Sequence, residues 1–208
     1  MNRRTATLAL ALLAIACKEE TKTPEAERDA GVQITALDAP DLGVRVPLLS
    51  SWRAVTTPPS DEEGAKTVAA ARRLPEKKPF LAVPRLVLTV QETVMQEPEP
   101  VFRDTLQELK SIGTRTNVQV IRTALSSRPI AGGTIGDIEM VYTLLGPKQT
   151  AKTIVHRSIV ALRTRSDESR AIVSATATYL QNDRELVGAE VQVMLDGFEL
   201  YPPQKTTP

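Results

Sequence analysis

The sequence predicts an α+β fold, an antiparallel β-sheet packed with two amphipathic helices. Three observations carry that expectation. Segments rich in Val, Ile, Leu and Thr recur between short turn-forming separators, which favours antiparallel hairpins. Two stretches instead place apolar residues at helical spacing, one central and one C-terminal. Only 3% of the 208 residues are aromatic while 41% are hydrophobic, so the core must be aliphatic.

The elements follow in order. Leu42, Val44 and Val46 alternate with Gly43, Arg45 and Pro47, the period of a half-buried strand, and Leu48 to Trp52 turns into a second short one. Pro58 to Gly64 and Leu74 to Pro79 are loops by composition, and Lys66 to Arg73 between them fits strand or helix. Arg85 to Met95 reads as a buried strand. A helix then starts with Pro100 at its first position, carries Phe102, Leu106, Leu109 and Ile112 as a stripe, and stops at Gly113. Four strands follow at Asn117 to Leu125, Thr134 to Leu145, Thr150 to Thr164 and Arg170 to Leu180. Their separators are Ser126 to Gly133, Gly146-Pro147-Lys148 and Ser166 to Ser169. Asn182 caps the final helix with Glu185 as capping-box partner, and Val187, Val191, Met194, Leu195 and Phe198 share one face before Pro202-Pro203. One apolar layer between sheet and helices is expected.

The N-terminus reads as an export signal. Arg3 and Arg4 precede an uninterrupted run of Leu, Ala, Ile and Thr from Thr5 to Ala16. Twelve helical residues cover roughly 18 Å, against the roughly 30 Å of a bilayer's hydrocarbon core, so the run is too short for a permanent span. Leu13-Ala14-Ile15-Ala16-Cys17 resembles the lipobox of bacterial lipoproteins, with Ala14 where that pattern prefers Leu. Ala14-Ile15-Ala16 also fits the A-x-A cleavage site of ordinary signal peptidase, which would leave a secreted chain with a free terminal thiol. The lipobox resemblance implies lipid attachment at Cys17 and a membrane as first partner. Residues 1–16 are then the signal, 17–40 the lipidated N-terminus and a charged tether, 41–201 a single domain, and 202–208 a disordered tail. Lys18 after the anchor lacks the aspartate that retains lipoproteins in the inner membrane of enteric bacteria. The expected address is therefore the outer membrane, facing the periplasm.

Removing Arg3 and Arg4 leaves 24 bases against 25 acids, net −1. That balance gives no electrostatic case for nucleic acid. Arg163, Arg165 and Arg170 around Asp167 and Glu168 read as a solvated hairpin tip. Cys17 is the single cysteine and His156 the single histidine, so neither a disulfide within the chain nor a Cys/His metal set is expected. A Ser-His-Asp triad would have to use His156, which reads instead as a mid-strand residue on the sheet's polar face. No Gly-x-Ser-x-Gly elbow is present. Gly132-Gly133-Thr134-Ile135-Gly136 runs into a strand rather than a helix, which makes it a hairpin rather than a phosphate cradle. Asp137 and Glu139 point to one side of a strand, where an acid–base pair or a hard cation competes with two carboxylates on a solvated face; the solvated face is the expectation. Trp52 is expected at a corner of the core, its N–H requiring a partner.

The order of these elements is similar to that of the DcrB/PsbP-like superfamily. The similarity rests on the strand before Trp52, the strand at Leu86 to Val90, the helix with Phe102 and Leu106, a train of hairpins, and a last helix reading Val191-Gln-Val-Met194-Leu195-Asp-Gly197-Phe198. It spans roughly Asp41 to Leu200. That superfamily also includes a nuclear-import factor for the Ran GTPase. The resemblance implies a sandwich acting as a non-catalytic binding or assembly module, with no cofactor. No functional residue of the photosystem members has a counterpart here, and Trp52 and Phe198 match structural anchors only. The expected function is an envelope lipoprotein that binds a protein or envelope partner. The alternative is a carrier of a small apolar ligand in a pocket between sheet and helix, and an enzyme is not expected.

Overall fold

The computed structural model describes residues 35–55, 65–75, 80–114, 117–146, 150–165 and 167–204. The expected signal peptide, Cys17, the expected tether up to residue 34, the expected loop at 58–64, residues 76–79, Pro147, Lys148, Ser166 and residues 205–208 lie outside the described residues.

A seven-stranded antiparallel sheet forms the centre. Its spatial order is β3 (Trp52–Val55), β4 (Lys66–Arg73), β5 (Arg85–Thr93), β9 (Arg170–Leu180), β8 (Ala151–Thr164), β7 (Gly133–Leu145) and β6 (Val118–Ile130). A second, three-stranded antiparallel sheet runs β1 (Ala36–Ala39), β2 (Val44–Pro47), β10 (Glu199–Leu200). Helix α1 (Pro98–Ser111) follows β5, and α2 (Ala189–Asp196) precedes β10. The fold is α+β, as expected.

Because side chains alternate along a strand, each long strand feeds both faces of the sheet. Val155, Ile159 and Ala161 of β8 join Val173, Ala175 and Ala177 of β9 beneath β1, β2 and α2. Ile154 and Val160 of β8 turn the other way and pack with Ile138, Met140 and Phe102 under α1. The expected single apolar layer is therefore two, one on each face. The runs in β5, β8 and β9 read as nearly continuously apolar because both of their faces are covered.

Four boundaries differ from the sequence expectation. Ala36–Ala39, assigned to the tether, is β1, paired with β2 from Ala36↔Pro47 to Ala39↔Val44, so the domain starts before Asp41. Ser126 to Ile130, assigned to a loop, continues β6 against β7, and Gly132 with φ 87° closes a tight hairpin. Polar residues suit this segment because β6 is an edge strand, where Pro129 is also tolerated. Helix α1 begins at Pro98, two residues before Pro100. Finally, Gln181–Asp183 is a 3₁₀ turn and Arg184–Gly188 a π-helical turn, with no side-chain cap from Asn182 or Glu185. The predicted apolar face of that last element nevertheless holds: Val187, Val191, Met194, Leu195 and Phe198 are all buried.

The chain's end is tied down rather than loose as far as residue 204. Gln204 donates its backbone N–H to Pro40 O at 2.8 Å, and Tyr201 donates its hydroxyl to Asp38 at 2.9 Å. Arg163, expected at a solvated tip, donates to three carbonyls, Leu42, Gly132 and Tyr201, at 2.7 to 3.0 Å. One guanidinium thereby joins the β1–β2 turn, the β6–β7 hairpin and the C-terminal segment. Gly43 sits in the same corner with φ 62°, and an added Cβ would lie 1.9 Å from Tyr201 O.

Candidate functional site

Helix α1 crosses one face of the sheet toward β6, β7 and β8 and leaves the β5–β9 side of that face partly open. The opening is a cleft of about 700 Å³, within the roughly 300–1,000 Å³ of ordinary ligand pockets. Three segments line it: Gln91 to Gln96 at the end of β5, the α1 face carrying Val101, Asp104, Thr105 and Glu108, and Glu168 to Arg170 with Ile172 at the start of β9. Helical spacing of i, i+3, i+4 and i+7 puts the four α1 residues on one stripe.

Local chemistry holds these walls in place. Met95 donates its backbone N–H to Thr93 Oγ1 at 3.1 Å, fixing the turn from strand into helix. Thr105 donates its hydroxyl to Val101 O at 2.9 Å, leaving its methyl against the core. Arg170 donates to Gln96 O at 2.7 Å, linking the β8–β9 turn to the segment before α1. In that turn Asp167 accepts the backbone N–H and hydroxyl of Ser169, and Glu168 adopts φ 68°.

Two polar side chains of the cleft are buried in whole or in part. Gln91 is 9% exposed and lines the cleft. Glu108 has one buried carboxylate oxygen with no donor. Burial pushes its carboxyl up to about 7, and the charge of Asp104 adds to the effect. Behind the cleft, on the same sheet face, the buried hydroxyl of Ser174 is also unpartnered. Neither Gln91, Glu108 nor Arg170 was singled out as a cleft residue from sequence. A lone Gln in an apolar strand and a Glu on the apolar side of an amphipathic helix were the available signals.

The residues considered from sequence lie elsewhere. His156 is not on a solvated face but 2% exposed in the layer under α1. Its Nε2 is 3.0 Å from Ser158 Oγ, which is 2.8 Å from Thr176 Oγ1. Burial lowers its pKa to about 4, so the ring is neutral at physiological pH. It does not line the cleft, and no carboxylate contacts it among the described residues. Asp137 and Glu139 do share a face, the one beside α2. There Asp137 pairs with Arg157 at 2.7 Å, while Glu139 accepts from Arg122 and lies 3.5 Å from Arg184. Arginine neutralises both carboxylates, which are half-buried rather than on an open face. Gly136 has a packing role: a Cβ there would lie 2.6 Å from the Phe102 ring. Trp52 is at a core corner, its Nε1–H donated to Glu190 at 2.9 Å. Among the described residues no group of three or more His, Cys, Asp or Glu side chains is placed to hold a metal, and no helix is long and apolar enough to cross a membrane.

No family model matches the chain, and no curated protein matches its sequence. Solved structures do match. LpqN, involved in cell envelope biogenesis of Mycobacterium tuberculosis, superposes with TM-score 0.54 at 14% identity, over 81% of this chain and 90% of that one. The cyanobacterial PsbP of Synechocystis sp. PCC 6803 superposes with TM-score 0.51 at 12% identity, over 83% and 96%. The yeast Ran-binding protein Mog1p overlaps more loosely, with TM-score 0.40 at 11% identity over 76% and 90%. The fold is PsbP-like, as the sequence resemblance implied.

Proposed function

We propose that this chain is an exported lipoprotein, anchored through Cys17 in the bacterial cell envelope, whose domain works as a non-catalytic binding module. The observation that carries the binding role is the cleft between α1 and the β5–β9 side of the sheet, walled by three chain segments and containing a buried carboxylate oxygen of Glu108 that has no donor. Unpaired buried polar groups cost free energy unless something satisfies them. A bound partner or ligand supplies that compensation. The lipobox-like sequence before Cys17 supports the anchor, and the fold shared with an envelope-biogenesis protein agrees with the address. We place the domain at the outer membrane facing the periplasm, within reach of the tether.

Hydrogen exchange tests the binding role. The chain is compared in its own envelope membranes and after purification in detergent. The reading predicts slower exchange at the end of β5, in α1 and in the β8–β9 turn when the chain is in the envelope. Protection confined to other surfaces contradicts it.

A second reading, a carrier of a small apolar molecule, draws on Val94, Met95, Val101 and Ile172, which give the same cleft apolar walls. Organic extraction of the chain purified from membranes, followed by mass spectrometry, separates the two. A stoichiometric apolar molecule favours the carrier.

A further inference from the structure

We infer that the sheet face at the β3–β4 edge docks on an anionic phospholipid surface, with Arg53, Arg72 and Arg85 meeting the phosphates and Leu81 and Val83 entering among the headgroups. The inference goes beyond the binding-module reading and uses neither the cleft nor lipid attachment at Cys17.

Strand register builds the basic row. Arg53 of β3 lies directly opposite Arg72 of β4, and Arg72 lies directly opposite Arg85 of β5. Directly opposed residues share a face, so three arginines stand side by side across roughly 10 Å, two strand spacings. Like charges in such positions destabilise a sheet. An anion seated on the row removes that repulsion. Arg53 and Arg72 are exposed, and no carboxylate pairs with either among the described residues. The flanking row on the same face is Val55, Ala70 and Val87, which adds no acid. Helix α1 packs over β6, β7 and β8, so it does not cover the arginines.

Apolar exposure at the same place selects a membrane over a soluble anion. Leu81 is 83% exposed and Val83 47%, and both lie just before Arg85 in the chain. Pro84 O accepts the backbone N–H of Arg73 at 3.1 Å, which holds this segment alongside the end of β4, next to Arg72. Aliphatic side chains beside arginines suit the boundary between headgroups and acyl chains, where guanidinium groups bind phosphate and the hydrocarbon leaves water. A free phosphate or an acidic polypeptide offers Leu81 no comparable apolar medium.

The test uses the full chain carrying Cys17→Ser, which has no thiol left to lipidate. It is floated with vesicles of phosphatidylcholine alone or mixed with phosphatidylglycerol, at low and high salt. The inference predicts binding to the mixed vesicles that high salt weakens. Arg53→Gln/Arg72→Gln reduces that binding about thirtyfold, the effect of taking two cations from an anionic surface. Leu81→Ser reduces it severalfold and keeps the salt dependence. Trp52 fluorescence confirms that each variant is folded, and all variants share the parent's N-terminus, so the losses belong to the sheet face. Three results overturn the inference: no binding to the mixed vesicles, equal binding to both vesicle types, or equal binding by the parent and the arginine variant. Polyglutamate that binds through the same arginines more tightly than the vesicles also overturns it, since the occupant is then an acidic polypeptide. Each of these leaves the anchor and the cleft to their own tests.

Discussion

Arg73 and Glu190 are 117 residues apart in the chain and meet in a two-point ion pair, Nε to Oε2 at 2.7 Å and Nη2 to Oε1 at 3.0 Å. Arg73 is 1% exposed at the end of β4, and Glu190 reaches it from the first turn of α2. Trp52 donates to the same carboxylate, and the Phe80 ring lies 5.2 Å from the Arg73 guanidinium carbon. The cluster fastens α2 to the β3–β4 edge of the sheet. Its charges are matched in place, so the fastening depends on both partners being present.

Removing Glu190 takes the two-point carboxylate partner away from the buried Arg73. Glu190→Ala is expected to cost about 3 kcal/mol, the usual range for breaking a buried pair. Burial pushes the Glu190 carboxyl up, but hydrogen bonds from Arg73 and Trp52 together with the charge of Arg73 outweigh it and hold the carboxyl below 4.5. A depressed carboxylate stabilises above its unfolded value, and that stability is lost as pH falls through the folded value. Urea denaturation read by the fluorescence of Trp52, the single tryptophan, measures both effects. An unchanged midpoint for Glu190→Ala would show that the pair does not fasten α2.

His156 and Glu108 impose opposite pH slopes. His156 titrates near 6.5 when unfolded and about 4 when folded, so the unfolded state binds more protons in that window and stability rises with pH. Glu108 titrates near 4.5 unfolded and about 7 folded, so its contribution is lost as pH rises through the folded value. Between pH 4.5 and 6.5 the two oppose each other. His156→Gln is expected to leave stability falling with pH, and Glu108→Gln to leave it rising, by up to about 1.4 kcal/mol per unit from His156. Glu108 is partly exposed, so its total contribution across the window is discounted for screening by water. Denaturation midpoints at four or five pH values suffice, and parallel profiles for both variants and wild type would sink the assignment.

Gly136 leaves the space that the Phe102 ring fills. A methyl group there overlaps a rigid, buried ring at 2.6 and 2.8 Å, so Gly136→Ala is expected to cost about 1–3 kcal/mol by overpacking. Phe102→Leu in the same chain should recover part of that loss, and thermal denaturation of the single and double variants gives the coupling. Additive effects would mean the two residues do not contact.

What the sequence disclosed follows from how far each signal reaches along the chain. The apolar runs of β5, β8 and β9 and the face from Val187 to Phe198 are local patterns, and they fall where expected. Ala36–Ala39 is too short to show a period, and its strand exists because β2 pairs with it. Ser126 to Ile130 looks like a loop because an edge strand can be polar. The cleft was not legible, since Gln91, Glu108 and Arg170 are ordinary in their own segments and only the register of β5 on β9 and the angle of α1 bring them together. The same holds for Glu190 as the partner of Trp52, whose need for one was legible but whose supplier was not.

Lipid attachment at Cys17 is the central proposal, since it would give the proposed binding module its address. Intact mass and detergent partitioning of the wild type and Cys17→Ser, both made in a Gram-negative host, test it directly. The account predicts a wild-type chain that begins at Cys17, carries acyl mass and enters the detergent phase, while Cys17→Ser remains in water. A wild-type chain that begins at the same residue without added mass and stays in water would contradict it.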